Sequence, residues 1–257
     1  MKNISWVLEY YDLIRILVIS DLRVKYQSSV LGFFWSLLNP LLMLVVLYVV
    51  FGVLGGRSDP GFILYLLTGI VIWRVFSNGT TASIRGIYGK PGLVKKIYIP
   101  RQILIFSMVV SSFISSLLEF IILFAFIIIF SVPFSVNILM FPVITFIYFG
   151  LIYGVGLVLG SLFVFYRDVE QIWGVLMQIG FFFVPIFYKV TSIPPDYQIL
   201  YLLNPISAIM VMYRDIILYA VFPPFKLLGY TIIAGILILI IGIYIFRRLE
   251  PRFAEAF

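Results

Sequence analysis

Arg85-Gly-Ile-Tyr-Gly-Lys-Pro-Gly-Leu-Val-Lys-Lys-Ile-Tyr-Ile-Pro-Arg101 carries five Lys/Arg residues and no acid, and an apolar stretch of membrane-spanning length lies on either side of it. Short loops of this composition stay on the cytoplasmic side during insertion, so this one orients the two flanking spans and, by alternation, all the others. Within it Leu93, Val94, Ile97 and Tyr98 recur at helical spacing among Lys90, Lys95, Lys96 and Arg101. That is the pattern of a short amphipathic helix that can seat in the groove of a soluble partner.

The chain around this loop has 257 residues, 63% of them hydrophobic and 11% charged, with net charge +7. Its mean hydropathy is +1.16. A soluble core of this length cannot cover so much apolar surface, and only helices or closed barrels satisfy their backbone in lipid. The expectation is an all-α polytopic membrane protein, in contact with membrane lipids throughout. The basic residues cluster at span ends and form no stripe interleaved with polar sequence, which argues against nucleic acid. With no Cys and no His, disulfides, thiolate chemistry, imidazole bases and most zinc sites drop out together, so no metal site is expected. Gly89-Lys90 is followed by Pro91 and lacks the upstream glycine of a phosphate-binding loop, so no nucleotide or other cofactor is expected on this chain. Charges at Glu9, Asp12, Arg15, Asp21, Arg23 and Lys25 interrupt any signal-peptide core.

Outward from the loop, the spacing predicts spans at 33–54, 62–83, 103–130, 138–166, 171–188 and 227–246, each near the ~20 residues a bilayer requires. Asn39-Pro40 should kink the first. Before it, residues 6–29 read as an amphipathic helix in the cytoplasmic interface, or packed on another domain. The apolar segment 199–219 is broken by Asn204-Pro205 and Arg214-Asp215, and we read it as re-entrant on the outer face. Counted as a span, it would place Arg247, Arg248 and Arg252 outside. Excluded, it leaves thirteen of the eighteen Lys/Arg inside, four outside and Arg74 within a span, with both termini cytoplasmic. The whole forms one transmembrane domain: residues 1–32 at the interface, 33–246 in the bundle and 247–257 as a tail.

Arg74 and Glu119 are the ionisable residues deep in spans, roughly 15 and 24 Å from their cytoplasmic ends at ~1.5 Å per residue, and charges at such depth mark functional candidates. The sequence leaves open whether they pair or are solvated separately, with Ser112, Ser115, Ser116 and Glu119 on one helix face. Asp168-Val-Glu170 suits a helix start, where acids meet the positive dipole end, and is weak as a divalent-ion site. Gly150, Gly154, Gly156 and Gly160 indicate close helix packing, in the fold or at a dimer face. Gln171, Gly174, Gln178, Phe182 and Pro185 share one helical stripe. With Trp35 and Asn39 in the first span, and Trp73 and Phe76 in the second, they are candidates for a passage offering hydrogen bonds and aromatic faces to sugars. Ordinary bundle packing is the alternative for each aromatic.

Arg23-Val-Lys-Tyr-Gln-Ser-Ser-Val-Leu-Gly-Phe-Phe-Trp35 leading into Leu38-Asn-Pro-Leu41, then Tyr166-Arg-Asp-Val-Glu170 and Leu203-Asn-Pro205, resemble the membrane subunit of ABC-2-type exporters. The likeness is greatest to the polysaccharide branch, which exports O-antigen, capsule or teichoic-acid polymers. The resemblance implies a homodimer in the cytoplasmic (inner) membrane with two copies of a separate ATPase, which would carry the ATP and Mg. A lipid-diphosphate-linked polymer would load near Arg23, Lys25, Tyr26, Leu31 and Gly32. Leu93, Val94, Ile97 and Tyr98, with Arg167, Asp168 and Glu170, would couple to the ATPase, and the segment at Asn204 and Pro205 would gate the outer side. The chain itself would be a transport subunit and no enzyme. The rivals are an efflux permease for a small hydrophobic compound, an ion channel and a polyprenyl-phosphate transferase.

Overall fold

A computed structural model describes residues 9–27, 32, 34–56, 59–90, 92 and 99–256. Among them nine α-helices follow one another: α1 Tyr11–Gln27, α2 Phe34–Leu47, α3 Pro60–Ile84, α4 Gln102–Ile129, α5 Phe141–Phe165, α6 Val169–Phe183, α7 Pro195–Leu202, α8 Pro205–Ile217 and α9 Phe225–Leu249. Their ends follow from local chemistry. The Asp59 side chain accepts from the Phe62 amide at 3.0 Å ahead of Pro60, and Asn204 does the same for Ile206 at 3.0 Å ahead of Pro205. Both are side-chain caps with proline in the first turn, where its missing N–H costs nothing.

α3 is the hub. Most of its residues are buried, and α2, α4, α5, α6 and α8 all pack on it. α5 and α9 cross where two glycines meet: a Cβ on Gly154 would fall 2.8 Å from the Ile238 carbonyl oxygen, and one on Gly242 would strike the Gly154 backbone. Small residues let helices approach this closely in lipid. Gly156 and Gly160 lie instead against Ser83 and Ile105, so these glycines serve packing inside the chain. Thr68, Thr80, Ser83, Ser107, Ser116, Ser161 and Thr231 turn their hydroxyls back onto carbonyls of their own helix. That satisfies them where no water reaches.

Three polar ties collect one end of the bundle. Arg85, after α3, pairs with Glu170 at the start of α6; Lys90 pairs with Asp21 of α1; Arg101, before α4, donates to the carbonyl of Glu250 after α9 at 2.6 Å. At the opposite end Asn137, ahead of α5, donates to the Ala220 carbonyl beyond α8 at 2.7 Å. Tyr65, early in α3, donates to the Tyr188 carbonyl beyond α6 at 2.7 Å. α6 therefore leaves the basic end and α9 returns to it. The α7–α8 pair, bent by 97°, starts and finishes at the far end.

Two elements differ from their expected form. The fifth crossing is no continuous helix: α6 has 15 residues, or about 22 Å, and Val184 turns to an extended backbone with ψ 142°. Pro185 is the cause, since it excludes its predecessor from the helical region and offers no N–H. Residues 184–188 continue as a series of bends, with the Ile186 amide donating to the Val184 carbonyl at 2.7 Å. In the first span the helix runs through Pro40, and the departure from regular winding comes later, as a π-helical stretch over Tyr48–Val53. α1 spans Tyr11–Gln27 and is not simply laid on a surface, since it packs on α4 with Ile14, Leu17 and Val18 buried.

Candidate functional site

The basic end is a network of charges. The Arg85 guanidinium meets Glu170 through both carboxylate oxygens, with Nε at 2.9 and 3.0 Å and Nη2 at 2.9 Å. That hydrogen bonding, then the carboxylate charge, raises the arginine's affinity for its proton. Arg167 donates to the Phe163 carbonyl at 2.9 Å and lies 3.5 Å above the Tyr88 ring. Asp168 makes no side-chain cap, so of the two acids expected at this helix start, Glu170 is committed to Arg85. Leu93, Val94, Ile97 and Tyr98 lie outside the described residues, as does Leu31. Gly32 has φ +42°, a left-handed conformation that suits glycine. Arg23 and Lys25 are exposed on α1, while Tyr26 bonds Ser36 of α2 at 3.0 Å.

Arg74 and Glu119, left open by the sequence, meet in a bidentate pair, Nε to Oε2 at 3.0 Å and Nη2 to Oε1 at 3.1 Å. The arginine side chain is 25% exposed and the glutamate 3%. The acid thus sits in the protein, while the guanidinium reaches a cavity of about 470 Å³ bounded by α2, α3 and α6. Asn39, Met43, Trp73, Ser77, Asn78 and Phe181 form much of its wall.

Of the residues proposed for a passage, the fold brings Asn39 and Trp73 together at this cavity. Trp73 is largely buried, its ring against Gly180 and edge-on to Phe181. Phe76 touches the Trp73 ring but does not line the cavity, and lies in the core against Tyr148 and Trp173. Gln171, Gln178 and Phe182 share the outward face of α6, and Trp35 is exposed on α2. The opposite face of α6 carries Trp173, Met177 and Phe181 into the chain, and Trp173 donates to Thr80 Oγ1 at 3.1 Å. α6 has no fully buried residue.

The far end holds a residue whose place the sequence reading missed. Arg214, read there only as a charge breaking an outer segment, is 2% exposed. It donates to the carbonyls of Pro185 at 2.6 Å, Ile186 at 3.0 Å and Tyr65 at 3.1 Å, and stacks 3.4 Å over the Tyr65 ring. A Cβ on Gly69 would lie 2.6 Å from its Nη2, so glycine leaves the space the guanidinium occupies. One arginine fastens the α7–α8 hairpin to the break after α6 and to α3. The available signal was that Ser207, Met210, Arg214 and Ile217 share a helix face, all buried. Asn204 and Pro205 stand at the hairpin's bend, and Tyr230 of α9 donates to the Leu203 carbonyl beside them.

Residues 12–218 match the family described as ABC-2 type transporter. The chain is 27% identical over 246 residues to an O-antigen export system permease protein RfbA of Klebsiella pneumoniae, covering 95% of each chain. It is 25% identical over 250 residues to the protein of the same name in Myxococcus xanthus, covering 96% of each. To the polysialic acid transport protein KpsM of Escherichia coli it is 21% identical over 237 residues, 91% of this chain and 92% of that one.

Proposed function

We propose that this chain, which belongs to the ABC-2 type transporter family, is the membrane-spanning subunit of an exporter for a lipid-linked polysaccharide. It is a multi-pass membrane protein. Two copies stand side by side in the cytoplasmic membrane, termini inside, and a separate ATPase beneath each supplies the energy, carrying the ATP and Mg that this chain has no motif to hold. The similarity to permeases named for O-antigen and polysialic acid supports the substrate class.

The observation that carries the reading is the outward stripe of α6. Gln171 and Gln178 are exposed on α6, which we read as part of the fifth crossing, and an amide left unpaired in lipid costs on the order of 2–7 kcal/mol. A second copy facing this stripe across a hydrated path removes that cost and leaves the amides free to bond sugar hydroxyls. The exposed apolar side chains beside them, Trp35 and Phe182, narrow the path and discourage continuous water when it is empty. The charged network of the basic end then transmits movement of the ATPase, and the hairpin at Asn204 and Pro205 closes the outer side.

Reconstitution of the chain with its ATPase in vesicles loaded with lipid-linked polymer tests this. ATP-dependent appearance of polymer across the membrane, slowed by Gln178→Leu while ATPase binding persists, is the expected result. ATP-dependent movement of small hydrophobic dyes with no polymer transport would replace it by the efflux reading. A chain that holds no ATPase would return the channel and transferase readings.

A further inference from the structure

We propose that the cavity between α2, α3 and α6 is a subsite for an uncharged, hydroxyl-rich stretch of the polymer, so that the repeating unit carried past it is a neutral sugar rather than an acidic one. This rests on the polysaccharide reading and narrows it. Two independent features of the cavity point the same way.

The first is its free hydrogen-bonding capacity. Asn39, Ser77 and Asn78 line the space, and among the described residues their side chains bond to nothing else. Each amide offers two donors and an acceptor, and the hydroxyl offers both. Vicinal sugar hydroxyls, which also donate and accept, are the chemical complement of such a set. A purely apolar guest would leave these groups unpaired, which disfavours it.

The second is the state of the one cation on its wall. Arg74 turns its Nε and one Nη2 hydrogen to both oxygens of Glu119, a bidentate pair that satisfies the carboxylate and cancels the charge. The remaining N–H groups still reach the cavity as neutral-pair donors, suited to hydroxyl oxygens. A carboxylated or phosphorylated sugar would have to displace Glu119 or sit beside it, and a buried acid beside a second acid is strongly disfavoured. Arg23 and Lys25, among the chain's exposed cations, lie on α1, where loading of a lipid diphosphate is expected. Charge is thus provided for the lipid end of the substrate and compensated where the sugars pass.

Binding of two oligosaccharides of equal length, a mannose oligomer and a sialic acid oligomer, to the purified full chain tests the proposal. Wild type should bind the neutral oligomer, and the acidic one roughly tenfold more weakly. Glu119→Gln, which uncovers the Arg74 charge, should reverse the order in a salt-dependent way. Asn39→Ala with Asn78→Ala, which removes groups from the cavity wall and leaves the ion pair intact, should weaken the neutral oligomer roughly tenfold. Tighter binding of the acidic oligomer by wild type, an unchanged order in Glu119→Gln, or unaltered neutral binding in the double asparagine variant overturns the neutral subsite while leaving polysaccharide export standing. Binding of neither oligomer by any variant overturns the polysaccharide reading and the subsite with it.

Discussion

Arg74 and Arg214 are both arginines in the membrane-embedded part of the chain, and their surroundings differ in kind. Arg74 has a carboxylate at 3.0 Å and a side chain 25% exposed to a cavity. Arg214 is 2% exposed, and among the described residues its donors reach only carbonyls and a ring face. The first arrangement cancels charge on the wall of a cavity. The second uses charge to hold backbone that has no other partner, since the chain breaks at Pro185 and leaves carbonyls that no helix satisfies. A guanidinium, with five donors in a planar fork, is suited to both tasks, which an ammonium is not.

Removing Arg214 should therefore have the largest effect. Arg214→Ala leaves the carbonyls of Pro185 and Ile186 without the donor and takes a second bond from the Tyr65 carbonyl, and we expect a loss of about 3–5 kcal/mol in stability, read from the unfolding midpoint in mixed micelles. Arg214→Lys should recover only part of it. Near-wild-type stability of Arg214→Ala would erase the distinction between the two arginines.

Next in size are the single variants of the other pair. Arg74→Met strands the buried Glu119 carboxylate, and a loss of about 2–4 kcal/mol is expected, smaller than for a fully buried pair because water reaches the arginine. Arg74→Met combined with Glu119→Leu should cost less than either change alone, because the stranded charge is gone. A double variant as costly as the two singles summed would mean that the pair makes no direct interaction in the membrane.

At the basic end the ties should be worth least. Arg85→Ala or Glu170→Ala breaks a pair held at 2.9 Å whose side chains are 69% and 35% exposed, so little stability should be lost, and less still in high salt. Its effect should show instead in the coupling of ATP turnover to transport, measured in vesicles. Orientation can be read separately in a chain without native cysteine. Ser192→Cys should react with an impermeant thiol reagent in intact cells and Arg248→Cys should not; the opposite pattern would exchange the inner and outer ends of both arginine sites.

Much of this was open to reading from the chain alone, because a bilayer imposes few solutions. Apolar length predicted the long helices, and Asn204-Pro205 predicted the break between α7 and α8. Both readings turn on composition within single segments, and the physics of insertion acts one segment at a time. The caps at Asn204 and the break at Pro185 are likewise local. The outward polar stripe of α6 was visible as a spacing, though which face of α6 looked outward was not.

What tertiary structure alone decided is where each charge finds its partner. Arg74 and Glu119 were separated by an uncertain depth along two helices, and only the packing of α3 on α4 brings them to 3.0 Å. Phe76 shares a spacing with Trp73 and touches its ring, yet only Trp73 lines the cavity, because periodicity assigns residues to faces and does not say what each face meets. Arg214 is the clearest case. In sequence it is a charge interrupting an apolar segment, and its partners are carbonyls at Pro185, Ile186 and Tyr65. Every residue has a carbonyl, so no side-chain pattern marks those that a fold will leave unsatisfied.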